Sequence, residues 1–137
     1  MVEHTTPYGI GTTVDLPYDR AVALTRDELG KEGFGVLTEI DVRATFKNKL
    51  DVEFRPYVIL GACNPLLAHR ALSAERDIGL LLPCNVVVYQ ADDSRKSVVA
   101  ALDPVTALQL TGNAEIGSIA EEVKGRLQRV LEAVARA

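Results

Sequence analysis

Two cysteines set the chemistry this chain offers, and each is followed at once by an asparagine: Cys63-Asn64-Pro65 and Cys84-Asn85. A thiol becomes a nucleophile or a metal ligand when its thiolate is stabilised, and a helix N-terminus does that with partial positive charge and spare N–H groups. Asn64 followed by Pro65 is such a start, an N-cap with proline at the first helical position. Cys63 is therefore expected beside the open end of a helix, with its thiolate favoured. Cys84 instead opens the apolar run Val86-Val87-Val88, where burial disfavours ionisation. Asn64 has a structural reason as a cap, whereas Asn85 has none, because asparagine is depleted in strands. The candidate ligand-binding set is Cys63, Asn64, Cys84 and Asn85. His69, about one turn into the same helix and leaning back toward its start, supplies an alternative metal set of Cys63, Cys84 and His69. Three ligands at irregular spacing do not make a zinc signature, so no metal is assigned. The opposing view is that cysteine is a small hydrophobe at home in cores and that Asn64 only caps.

Other residues admit structural readings as readily as functional ones. Glu39 and Asp41 share one strand face and could bracket a cation, or be a solvated face ending in a helix cap. Arg55, between Phe54 and Pro56, fits an anion clamp or a surface ion pair. Gly9-Ile10-Gly11 and Gly33-Phe34-Gly35 are too short for a phosphate loop. No Ser-His-Asp arrangement is readable, since His4 falls in the N-terminal tail and His69 has no nucleophile at a recognisable spacing. The sequence names no catalytic residue and no cofactor.

The elements that position these residues follow from periodicity. Strands are expected over residues 10–16, 34–40, 52–62, 84–91 and 97–102, the second with Phe34, Val36, Thr38 and Ile40 on one face. A helix is expected over residues 18–32, ended by a left-handed Gly33. Asp41 caps a short helix over residues 42–50, and the Asn64-capped helix runs to about residue 75. Asp103-Pro104 repeats the cap-then-proline device for a helix to about residue 110, stopped by Gly112. Ser118 with Glu121 reads as a capping box, from which Ile119, Val123, Leu127, Val130, Leu131 and Val134 continue at helical spacing.

Strands joined without a long crossover pair as antiparallel neighbours, while the first helix is long enough for a right-handed crossover. The result is an α+β two-layer sandwich, a five-stranded, mostly antiparallel sheet of order 1-5-4-3-2 with the first and last long helices on one face. Residues 1–9 are expected to be a flexible tail and residues 10–137 a single domain. In this meander the third strand ends at Cys63 and the fourth begins at Cys84, so both thiols meet at one end of the sheet. The helix starts at Pro65 and Pro104 face the same rim.

With 15 Lys+Arg against 19 Asp+Glu, a net charge of −4 and no massed basic residues, a nucleic-acid partner is not expected. No apolar run approaches the ~20 residues of a spanning helix, and the N-terminus lacks a secretory pattern, so the expected location is the cytoplasm, where thiols stay reduced.

Three segments carry a family resemblance: Gly33-Phe34-Gly35-Val36-Leu37-Thr38-Glu39-Ile40-Asp41-Val42, Phe54-Arg55-Pro56-Tyr57 through Leu60-Gly61-Ala62-Cys63-Asn64-Pro65, and Leu80-Leu81-Leu82-Pro83-Cys84-Asn85-Val86. Over essentially residues 10–131 the chain resembles the domain-of-unknown-function family 302. That resemblance implies an α+β domain, TATA-binding-protein-like in outline, in small bacterial and archaeal proteins often crystallised as dimers. It supplies no reaction. One departure is Asp51, where the family commonly carries glycine; a left-handed cap there costs aspartate about 1 kcal/mol more than glycine. The functional expectation is a homodimer binding or sensing an anionic or sulfur-containing small molecule at a thiol-lined rim. The alternative is a non-catalytic binding or assembly module whose cysteines are core residues.

Overall fold

The computed structural model describes the backbone of residues 2–137 and the side chains of all of these except residues 3–5. Its strands are β1 (Glu3–Thr6), β2 (Gly9–Val14), β3 (Gly35–Asp41), β4 (Tyr57–Cys63), β5 (Cys84–Gln90) and β6 (Ser97–Leu102). The helices are α1 (Tyr18–Lys31), α2 (Val42–Leu50), α3 (Pro65–Ala74), α4 (Pro104–Leu108) and α5 (Ala114–Ala135), with a 3-10 turn over Arg76–Leu81 after α3. The sheet order is β1-β2-β6-β5-β4-β3, every neighbour antiparallel. The five expected strands keep their expected order.

Alternation explains how the sheet is covered. Ile10 and Val14 of β2, Val99 and Ala101 of β6, Val86 and Val88 of β5, and Val58 and Leu60 of β4 are all buried on one face. Onto it pack α1, through Ala21, Thr25 and Leu29, and α5, through a stripe from Ile116 to Val134. Buried Thr25 satisfies its hydroxyl by donating to the Ala21 carbonyl one turn back, at 2.7 Å. Each fully buried leucine or isoleucine here contributes about 1.5–3 kcal/mol by leaving water.

Four local expectations are corrected. Glu3–Thr6, expected as tail, forms β1 by pairing with β2, a sixth strand at the sheet edge; His4's side chain lies outside the described residues. The strand expected from residue 52 begins at Tyr57, because Pro56 has no N–H for the ladder. In β3 the register shifts between Val36 and Thr38, so the expected alternation fails. Phe34 is buried but Ile40 is 49% exposed. Finally, α5 begins a turn before Ser118: Asn113 is its cap, accepting from the N–H groups of Glu115 at 2.9 Å and Ile116 at 3.4 Å.

Candidate functional site

The meander delivers both thiols to one end of the sheet. Cys84 faces Ala62 across the β4–β5 ladder, and Cys63 is the next residue along β4, itself opposite Gly35 of β3. Asn64 ends that strand and starts α3, its Oδ1 accepting the Leu67 N–H at 3.2 Å. Over this corner lies a cavity of about 270 Å³, walled by the ends of β3, β4 and β5, by α3 and its 3-10 turn, and by Leu108, Ile119 and Val123. Cys63, Asn64 and Cys84 all line it.

The remaining candidates fall elsewhere. Asn85 pairs with Gly61 and is exposed, because strand alternation sends it away from the side that Cys84 takes. It is not among the residues that line the cavity. His69 is exposed, and among the described residues no group of three or more His, Cys, Asp or Glu side chains is placed to hold a metal ion. The alternative set of Cys63, Cys84 and His69 therefore does not form: helical rotation turns the imidazole outward. Glu39 pairs with Arg26 at 2.8 Å, and Asp41 caps α2 by accepting from the Ala44 N–H at 2.8 Å. Arg55 ties the 51–56 segment down, donating to the Gln90 carbonyl at 3.1 Å and pairing with Asp92 at 3.2 Å. These three take their structural readings.

Electrostatics at the corner favour neutral groups. Burial, and then the neighbouring Cys63, push the Cys84 thiol up to about 11, so it is uncharged at neutral pH. The second helix start at this rim is already occupied. The Asp103 carboxylate accepts from the N–H groups of Val105 at 3.0 Å and Thr106 at 3.4 Å and pairs with Lys124. Gly33, with φ of 84°, lets the chain turn beneath Asn64: a Cβ there would stand 3.0 Å from Asn64 Nδ2.

Residues not anticipated from sequence form much of the wall. Ala68 and Ala71 of α3 and Gly79 of the following turn present small surfaces toward the cavity, with Leu67 and Leu72 between them. Their signal was available only as small residues at helical spacing opposite an apolar strand end. A second, polar cleft of about 320 Å³ lies around Tyr18, Asp19, Asp41 and Arg43. There burial, with Asp41, Asp19 and Glu39 adding, raises the Tyr18 phenol to about 12.

Comparison with known proteins agrees with this architecture. The crystal structure of an uncharacterized conserved DUF302 protein from Bacillus stearothermophilus superposes with a TM-score of 0.85 at 27% identity, covering 93% of this chain and 98% of that one. No curated protein matches the chain. No helix among the described residues is long and apolar enough to cross a membrane. The model of the family described as domain of unknown function DUF302 matches residues 10–134, nearly the whole α+β unit, and the chain belongs to that family.

Proposed function

We propose that the protein binds a small molecule in the cavity at the Cys63–Cys84 end of the sheet, and that it does so in the cytoplasm with both thiols reduced. The observation that carries this reading is the space itself. Protein interiors fill to crystal-like density, yet here Ala62, Ala68, Ala71 and Gly79 leave about 270 Å³ open at a corner of an otherwise packed core. The sulfur atoms of Cys63 and Cys84 add soft, polarisable contacts, which suit a sulfur-containing ligand. Support for an anion is thinner. The Asn64 and Asp103 side chains already take N–H groups at both helix starts.

The test is a thermal-shift screen of chemically diverse small molecules against the wild type and an Ala71→Leu variant. Ligands of this site raise the melting temperature of the wild type and leave Ala71→Leu unmoved. Ligands that stabilise both proteins equally contradict the assignment.

A second reading concerns assembly and rests on the opposite sheet face. Register places Ile40, Ile59, Val87 and Ala100 in one row across it, and Tyr57, Tyr89 and Val98 in another. Tyr57 and Tyr89 stack with ring centroids 5.2 Å apart and planes at 5°. Neither row contains an Asp, Glu, Lys, Arg or His, and α1 and α5 lie on the other side, while Phe54, itself packed on Phe46 of α2, flanks the Tyr57 end of this face. An uncharged apolar face is compatible with its own copy under two-fold symmetry. On this reading the sheet face joins a homodimer, and Cys84 is a wall of the core.

A further inference from the structure

We infer that the ligand of this cavity is an uncharged, predominantly apolar molecule of about two fused rings in bulk, rather than an anion; the inference rests on the cavity reading above. Among the described residues, the cavity walls contain no Asp, Glu, Lys, Arg or His. Their polar side chains are those of Thr38 and Asn64 and the two thiols, and the Asn64 oxygen is committed to the Leu67 N–H. A carboxylate or phosphate entering here would shed water with no cation to meet it, a cost that falls entirely on binding. An apolar molecule instead gains contact with Phe34, Leu67, Leu72, Ile119 and Val123.

Size narrows the class further. An apolar cavity of roughly 150 Å³ accommodates benzene. A volume of about 270 Å³ therefore suits a bicyclic hydrocarbon or a branched chain of similar bulk. Neutral Cys84 at the wall behaves toward such a molecule as another small hydrophobe.

Naphthalene and 2-naphthoate, the same ring system without and with a charge, separate the possibilities. Titrations of each into the full chain are followed by methyl NMR shifts at Ala71, Ile119 and Val123, in the wild type and in Ala71→Leu. Naphthalene is expected to shift all three methyls of the wild type, to bind at least about tenfold (~1.4 kcal/mol) more tightly than 2-naphthoate, and to lose affinity in Ala71→Leu. Should 2-naphthoate bind as well or better at the same methyls, the apolar class is overturned while the cavity reading stands. Should neither compound shift the three methyls, both are overturned. If Ala71→Leu does not fold, the wild-type shift map still locates the probe, and Ala68→Leu replaces it as the blocking variant.

Discussion

Lys124 of α5 places its Nζ 2.9 Å from Oδ2 of Asp103, whose other oxygen caps α4, so a single buried carboxylate joins two helices and ends a strand. The Asp103 backbone N–H also donates to the Tyr8 carbonyl at 2.8 Å. Asp103→Ala removes the cap and leaves a partly buried ammonium without its partner, and is expected to cost about 2–4 kcal/mol in denaturant unfolding. Asp103→Asn keeps an acceptor for the cap and costs less. The acid limb follows from the same contact. Burial raises the Asp103 pKa, but the Lys124 ammonium and the two N–H groups outweigh it and hold the carboxyl below its ordinary value. A depressed folded pKa gives stability that is full above the unfolded value of about 3.9 and is lost as pH falls through the folded one. The stability gap between wild type and Asp103→Asn should close as pH drops below about 4; a gap independent of pH would refute this.

Alkylation should distinguish the thiols. Cys84 is 7% exposed with its thiol raised to about 11, while Cys63 is half-buried at the cavity wall. Iodoacetamide is expected to modify Cys63 in the native protein and Cys84 far more slowly, with the Cys84 rate still climbing at roughly pH 10. Equal rates for the two would contradict the burial difference.

Asp51 closes α2 in the left-handed region, at φ 52° and ψ 39°, with Lys47 Nζ 2.8 Å from its carboxylate. Glycine relieves about 1 kcal/mol of backbone strain there, against a few tenths lost with an exposed ion pair. Asp51→Gly should therefore gain roughly 0.3–1 kcal/mol, and Asp51→Ala should lose stability because it keeps the strain and drops the pair. Chemical denaturation of both variants checks the order.

If the outer sheet face joins two copies, sedimentation at tens of micromolar should give twice the 14.8 kDa chain mass. Val87→Glu places a charge in the middle of that face and should yield a folded monomer. A wild-type monomer at that concentration sinks the assembly reading.

Where a residue acts on its own backbone, the sequence was readable. Asn64-Pro65 and Asp103-Pro104 start α3 and α4, and Gly33 and Gly112 turn with positive φ. The antiparallel meander that brings Cys63 to Cys84 followed from connection lengths alone. Signals failed where the outcome depends on distant partners. Glu3–Thr6 is a strand only because β2 offers an edge. Ser118 and Glu121 mimic a cap that Asn113 supplies one turn earlier. Asn85 was assigned to the site because a strand gives asparagine no structural reason, although alternation turns it to the side opposite Cys84. The cavity left little trace, because empty space is made by what Ala68, Ala71 and Gly79 lack.

The two register shifts occur in the two outermost ladders, between His4 and Thr6 on β1 and between Val36 and Thr38 on β3, while the inner three run in register throughout. An uninterrupted outer strand is a template on which further chains can add without limit, in the manner of a growing fibril. An irregular one offers an incoming strand only a short run of matched donors and acceptors before the pattern breaks. Lateral growth is thus discouraged at both margins, so a chain that exposes Leu37 and Ile40 along one border is still protected from open-ended polymerisation.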